Sequence, residues 1–216
     1  APGNAGTAGF TENVPIAATE VTALADWAER HQIDLAVIGP EDALVAGIAD
    51  VFRSRGLTAF GPGATGARIE GSKSWAKELM LRSGIPTAHA GTFDNAESAR
   101  RFARNQHTPL VVKADGLAAG KGVIIAATTD EALAAIDQCM EKAVFGAAGS
   151  RVVIEECLTG LEVSLLAFVD GRHFAPLVAA CDYKRVGDGD AGPNTGGMGS
   201  YAPPRFVSPD LAAELA

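Results

Sequence analysis

Cysteine is scarce in this 216-residue chain, and its three copies, Cys139, Cys157 and Cys181, are odd in number, widely spaced and never in a C-x-x-C pair. That excludes a disulfide framework and a zinc knuckle, and makes a reducing cytoplasm the expected compartment. Histidine is as sparse: His31, His89, His107 and His173 show neither H-x-x-x-H nor H-E-x-x-H spacing, so no histidine metal site is expected. No apolar run approaches the roughly 18 residues of a membrane span, and no charged-then-apolar signal segment opens the chain. Positive charge is in deficit, with 18 Lys+Arg against 26 Asp+Glu and a formal charge of −8. This argues against nucleic acid or an anionic membrane as a partner.

What is present is a globular composition, 47% apolar and 20% charged, enough to bury a core. Glycine is over-represented at 25 residues and marks special loops. The length suits one large domain or two small ones. The chain opens on the turn-rich Ala1-Pro2-Gly3-Asn4-Ala5-Gly6, which reads as a loop following a strand. Near the other end Ser208-Pro209-Asp210 starts a helix, with Ser as N-cap and Pro at the first helical position, of which about two turns are present. Both features lead to the expectation of an internal piece of a longer protein.

Between these ends the pattern changes once. Glu20 to His31 and Ala43 to Arg55 have helical spacing, and Ile33 to Ile38 and Leu57 to Phe60 are short apolar strands, an alternation that implies a small parallel α/β sheet. Ser72 to Ser83 is a helix closed by Gly84, and Asp94-Asn95-Ala96-Glu97 opens another. Beyond them Pro109 to Ala114, Gly122 to Ala126, Arg151 to Glu156, Glu162 to Val169 and His173 to Ala180 are β-rich, interrupted by one helix at Asp130 to Val144. The expected boundary lies near residue 62, giving a partial parallel α/β domain over 1–62 and an α+β domain with antiparallel strands over 63–216.

The strongest chemical signal is Lys113-Ala114-Asp115-Gly116-Leu117-Ala118-Ala119-Gly120-Lys121-Gly122 between two strands. Glycines let backbone N–H groups approach phosphate oxygens, and the lysines bring charge. It is not a Walker A loop, since three residues separate Gly116 from Gly120, Gly122 stands where Ser or Thr would, and a strand follows. A plain hairpin loop is the alternative. Of two G-x-G-x-x-G strings, Gly187 to Gly192 is acidic and repels a pyrophosphate. Gly61 to Gly66 follows a strand and precedes a helix, which keeps a dinucleotide-binding alternative open, although the next suitable acid, Glu78, falls mid-helix.

Lys73 follows Ser72 in the first turn of a helix, where backbone donors and the dipole favour phosphate. Glu155 and Glu156 end a strand and point to opposite faces, so at most one enters a given cleft. Glu162 can accept hydrogen bonds from ribose hydroxyls. Asp182-Tyr183-Lys184-Arg185 and Gly192-Pro193-Asn194-Thr195-Gly196-Gly197-Met198-Gly199 together suit an anionic substrate.

In these motifs, together with Ala1 to Thr7, Gly39-Pro40-Glu41 and Glu70-Gly71-Ser72-Lys73, the chain resembles the glycinamide ribonucleotide synthetases (phosphoribosylamine–glycine ligases), ATP-grasp ligases of purine biosynthesis. The resemblance implies that ATP, with Mg²⁺ or Mn²⁺, phosphorylates the glycine carboxylate, and that the amine of phosphoribosylamine attacks the glycyl phosphate. It implies that Lys73 and Lys113 hold phosphates under Gly120, Lys121 and Gly122. Glu155, Glu156, Cys157 and Leu158 would border the adenine, and Glu162 the ribose. Arg185 and Asn194 would serve the acyl-phosphate site, beside Asp182, Lys184, Thr195 and Gly196 for the other substrates. The family's opening glycine-rich segment would precede Ala1 and its acidic metal ligands would follow Ala216, so no metal ligand is expected here and the piece alone is not expected to turn over. Cys181 and Tyr183 stand where the family usually has Gln and His. Another ATP-grasp carboxylase or ligase, a noncatalytic nucleotide-binding module and a nicotinamide-binding protein are the competing readings.

Overall fold

The computed structural model describes residues 1–118, 121–189 and 191–215, with the backbone alone at Pro193 and Asn194. It divides into two compact units, one ending at Cys157 and the other beginning at Leu158.

The first unit opens with α1 (Val21–Arg30), β1 (Ala36–Val37), α2 (Glu41–Val45), α3 (Ile48–Ser54) and β2 (Ala59–Phe60). β1 and β2 pair in parallel, as the alternation predicts, though each is shorter than its apolar run. The single helix expected from Ala43 to Arg55 is two, because Gly47 takes a left-handed φ of 86° and ends the first. Ala25, Ala28, Ala43, Ile48 and Phe52 form a small core under these elements. Next come α4 (Ala64–Gly71) and α5 (Lys73–Arg82), the latter capped by Ser72 Oγ, which accepts from Trp75 N–H.

The centre of the unit is a four-stranded antiparallel sheet of β3 (Ala90–Phe93), β4 (Leu110–Ala114), β5 (Val123–Ala126) and β6 (Val152–Glu156), in the order β3-β6-β4-β5. Strand period sorts its faces. Leu110, Val112, Ala114, Val152 and Ile154 point to one face, where α6 (Ala96–Arg104) and α7 (Thr129–Ile136) bury Ala99, Ala103, Ala132 and Ile136 against them. Val111, Lys113, Val153 and Glu155 alternate with these and take the other face, which α5 approaches. The helix expected to run to Val144 leaves α geometry at Asp137 and continues as a π turn to Glu141.

In the second unit the strands expected over Glu162 to Val169 and His173 to Ala180 shrink to β7 (Ala167–Val169) and β8 (Phe174–Pro176), plus an isolated Ser164–Ala180 bridge. Their side chains are exposed on both faces, so no packing extends the ladder. Short hairpin strands follow: β9 (Cys181–Asp182), β10 (Arg185–Gly187), β11 (Ala191–Asn194) and β12 (Ser200–Tyr201), then α8 (Pro209–Leu215). Ser208 Oγ caps α8 by accepting from Leu211 N–H, as its sequence predicts. Among the described residues no helix is long and apolar enough to cross a membrane.

Candidate functional site

The cross-strand register places Lys113 opposite Val153 and Glu155 opposite Val111, so the two charged side chains are diagonal neighbours on the face away from α6 and α7. Lys113 Nζ donates to Glu155 Oε2 at 2.7 Å. The other carboxylate oxygen, Oε1, lies 3.2 Å from Lys77 Nζ on α5. Lys77 also donates to Thr87 Oγ1 (2.6 Å) and the Ala88 carbonyl (3.0 Å). Lys77 and Glu155 are the buried charged side chains among the described residues, so the carboxylate is held with both oxygens engaged. The next residue confirms the alternation: Glu156 is exposed and its Oε1 accepts from His89 N–H at 2.7 Å.

One turn before Lys77, the half-buried Lys73 reaches the glycine loop and donates to the Gly116 carbonyl at 3.0 Å. Burial pushes its ammonium below the usual lysine range; Glu70 and Asp115 oppose that shift and the Lys113 charge adds to it. The loop is tied to α5 through Asp115, whose Oδ1 accepts from Ser74 N–H (2.6 Å) and whose two oxygens each accept from Ser72 Oγ (3.2 Å). This corrects one expectation. The backbone donors at the start of α5 are taken within the chain, Lys73 N–H by the Asp115 carbonyl, Ser74 N–H by the Asp115 carboxylate and Trp75 N–H by Ser72 Oγ, so the terminus does not offer them to a phosphate. Gly122 closes the loop by accepting from Ala114 N–H at 2.8 Å, and a Cβ there would stand 2.7 Å from that of Ala118. Lys121 N–H donates to Ala118; Gly120 lies outside the described residues.

The dinucleotide alternative meets the same obstacle. The helix that its string opens is α4, and Ala64 N–H at its start donates to Asp50 Oδ2 at 2.7 Å, while a Cβ on Gly63 would meet Asp50 Oδ1 at 2.4 Å. A carboxylate already fills the place of a pyrophosphate. A separate apolar cavity of about 240 Å³, lined by Trp27, Ile33, Ile38 and Phe52 among others, has no charged side chain in its lining.

Cys157 ends the first unit, its N–H donating to the Pro109 carbonyl at 3.3 Å, and Leu158 begins the second, largely exposed. Within that second unit several predicted residues come together. Lys184 Nζ donates to Glu162 Oε2 at 3.0 Å and lies 3.8 Å from Asp182 Oδ1. The hydrogen bond to Glu162 raises the Lys184 pKa above the ordinary lysine value. Thr195 folds back on Lys184, its N–H (2.7 Å) and Oγ1 (2.9 Å) both donating to the Lys184 carbonyl, and Gly197 N–H donates to Thr195 Oγ1, a turn that carries Gly196. Arg185 and Asn194 are partners in the β10–β11 register; the Asn194 side chain lies outside the described residues. Tyr183 stacks on Tyr201 with ring centroids 5.6 Å apart, and the Cys181 hydrogen bond raises the Tyr201 pKa.

Sequence reasoning missed Lys77, Asp50 and Asp115. Lys77 looks like any helix lysine; its one signal is the four-residue spacing from Lys73, which puts both on one face.

The antiparallel sheet, with its lysines and glycine loop, lies in residues 71–216, which match the model of an ATP-grasp (A) domain, so this is an ATP-grasp fold. The same fold is seen in N5-carboxyaminoimidazole ribonucleotide synthetase of Thermus thermophilus (TM-score 0.68, 23% identity, 99% of this chain and 53% of that one). The family follows from the sequence match. The model of the phosphoribosylglycinamide synthetase N domain matches residues 1–70 and that of its ATP-grasp (A) domain residues 71–216, so the chain belongs to the phosphoribosylglycinamide synthetase family. It is 50% identical to the phosphoribosylamine–glycine ligase of Xylella fastidiosa over 100% of its own length and 50% of that protein's. It is equally similar to that of Escherichia coli, 50% identical over 98% of this chain and 50% of the relative. The crystal structure of the Thermotoga maritima enzyme superposes with a TM-score of 0.72 at 38% identity, covering 92% of this chain and 47% of that one. The chain thus spans about half the length of the relatives it matches.

Proposed function

We propose that this chain supplies the polyphosphate-holding part of an enzyme that joins glycine to 5-phosphoribosylamine in purine biosynthesis, giving glycinamide ribonucleotide, ADP and phosphate. The observation that carries the reading is the Lys73, Lys113 and Glu155 cluster beside the glycine loop, in a chain whose whole length matches the ligase family. Lys73 and Lys113 hold the ATP phosphates and neutralise charge while the γ-phosphoryl group passes to a glycine carboxylate oxygen and ADP leaves. The amine then attacks the glycyl carbonyl carbon, the amide forms, and phosphate departs with the electron pair of the broken C–O bond.

Gly120, Lys121 and Gly122 close over the phosphates. Glu155, Glu156, Cys157 and Leu158 border the adenine, Glu155 and Glu156 through backbone groups because the Glu155 carboxylate is held by Lys113 and Lys77 and that of Glu156 by His89 N–H. Glu162 takes the ribose, Arg185 and Asn194 the acyl phosphate, and Asp182, Lys184, Thr195 and Gly196 the other substrates. A domain boundary near residue 62 belongs to this reading. ATP-grasp ligases work with a divalent cation, magnesium or manganese. Among the described residues no group of three or more His, Cys, Asp or Glu side chains is disposed to hold one, so no step is assigned to it here.

The test is ADP release from Mg-ATP and phosphoribosylamine, with and without glycine, by the full polypeptide of the reading frame containing this chain. Glycine-dependent release is expected. Intact ATP binding with release indifferent to glycine overturns the assignment of acceptor.

A further inference from the structure

Lys77 has no part in the chemistry above, yet it is the most buried lysine described. Its ammonium is fully engaged by Glu155, Thr87 and Ala88, and its side chain is 7% exposed, so it reaches no ligand itself. Its effect falls on Glu155. A buried carboxylate facing Lys113 alone would make a closed, neutral pair that Lys113 must break before meeting a phosphate. With Lys77 on the other oxygen, the cluster of Lys77, Glu155 and Lys113 carries a net charge of +1, and Lys113 is its exposed member at 26%. Lys73 stands near enough for its charge to be felt, on the same side.

We propose that Lys77 is a positioning residue that neutralises Glu155, so that Lys113 can give its charge to the polyphosphate of a nucleotide. The inference rests on the reading of Lys113 as a phosphate ligand. Glu155 is then a counter-ion held in check by one lysine so that the other is available.

Isothermal titration of ATP and of adenosine into the full polypeptide tests this with four proteins: wild type, Lys77→Met, Lys77→Met with Glu155→Gln, and Lys113→Ala. Lys77→Met should weaken ATP about tenfold, the value of one charge-assisted contact, and leave adenosine within about twofold. Adding Glu155→Gln removes the charge that traps Lys113, and should return ATP affinity to within about threefold of wild type. Unchanged ATP affinity in Lys77→Met, equal losses for ATP and adenosine, or no recovery in the double variant overturns the proposal. Should Lys77→Met not fold, the double variant decides, since a neutral Met/Gln pair of similar volume replaces the buried ions; tenfold weaker ATP binding there contradicts the inference. Lys113→Ala separates the two claims: if it binds ATP as wild type does, the phosphate reading itself fails.

Discussion

Two lysine–glutamate pairs of the same chemistry sit in opposite surroundings in this chain. Lys113 and Glu155 meet on a core sheet, with side chains 26% and 9% exposed, whereas Lys184 and Glu162 meet on surface hairpins at 51% and 75%. The first pair is placed by strand register, by a helix carrying a second lysine, and by a packed face behind it. The second is placed by turn hydrogen bonds from Thr195 and by ion pairs of the exposed Lys184 with Glu162 and Asp182. The difference suggests a division of labour. The residues proposed for polyphosphate form a preorganised cluster, while Glu162, proposed for the ribose, and Lys184, proposed for the other substrates, sit where geometry is cheap to change.

The comparison breaks first at Glu155. Glu155→Ala leaves two lysines around a vacated buried carboxylate and should cost about 3–5 kcal/mol in urea unfolding; a loss under about 1 kcal/mol would put this pair in the same class as an exposed one. Ile154→Ala, on the face behind it, should cost about 2–5 kcal/mol. Val169→Ala on the exposed hairpin should change stability by no more than about 0.5 kcal/mol. Equal costs at the two sites would erase the contrast.

A pH effect comes next. Burial lowers the Lys73 pKa, and a phosphate bound there as proposed would raise it again, so ATP affinity should be complete below the free-protein pKa and decline as pH rises through it. The decline should begin at lower pH than for an ordinary lysine, and Lys73→Arg, which stays protonated, should move it upward. An identical affinity profile in that variant would remove Lys73 from the phosphate site. The smallest effect belongs to Glu162→Gln, which should cost no more than about 1 kcal/mol of stability, measured by thermal unfolding, because its ion pair is exposed.

What was legible in the sequence obeys local rules. Strand period set Glu155 and Glu156 on opposite faces, and Ser208 caps the helix it precedes, whereas the cap within Asp94-Asn95-Ala96-Glu97 is Asn95 rather than the Asp94 of a capping box. What was not legible depends on partners distant in sequence. β3 reads Ala-Gly-Thr-Phe, with no apolar alternation, and is a strand because β6 pairs with it. Asp50 and Asp115 accept from N–H groups in the first turns of helices, Ala64 and Ser74, that lie 14 and 41 residues away from them, respectively. In each case a terminus that reads as an anion site already holds the protein's own anion. Lys77 was hidden for the same reason, since only the fold brings Glu155 to it.

Polyphosphate binding by the Lys113 cluster is the central proposal. The direct measurement is the ATP dissociation constant of the full polypeptide with and without Lys113→Ala, alongside circular dichroism. Affinity at least about tenfold weaker in Lys113→Ala, the worth of one charge-assisted hydrogen bond, is expected with an unchanged spectrum. Equal affinity in the two proteins would contradict it.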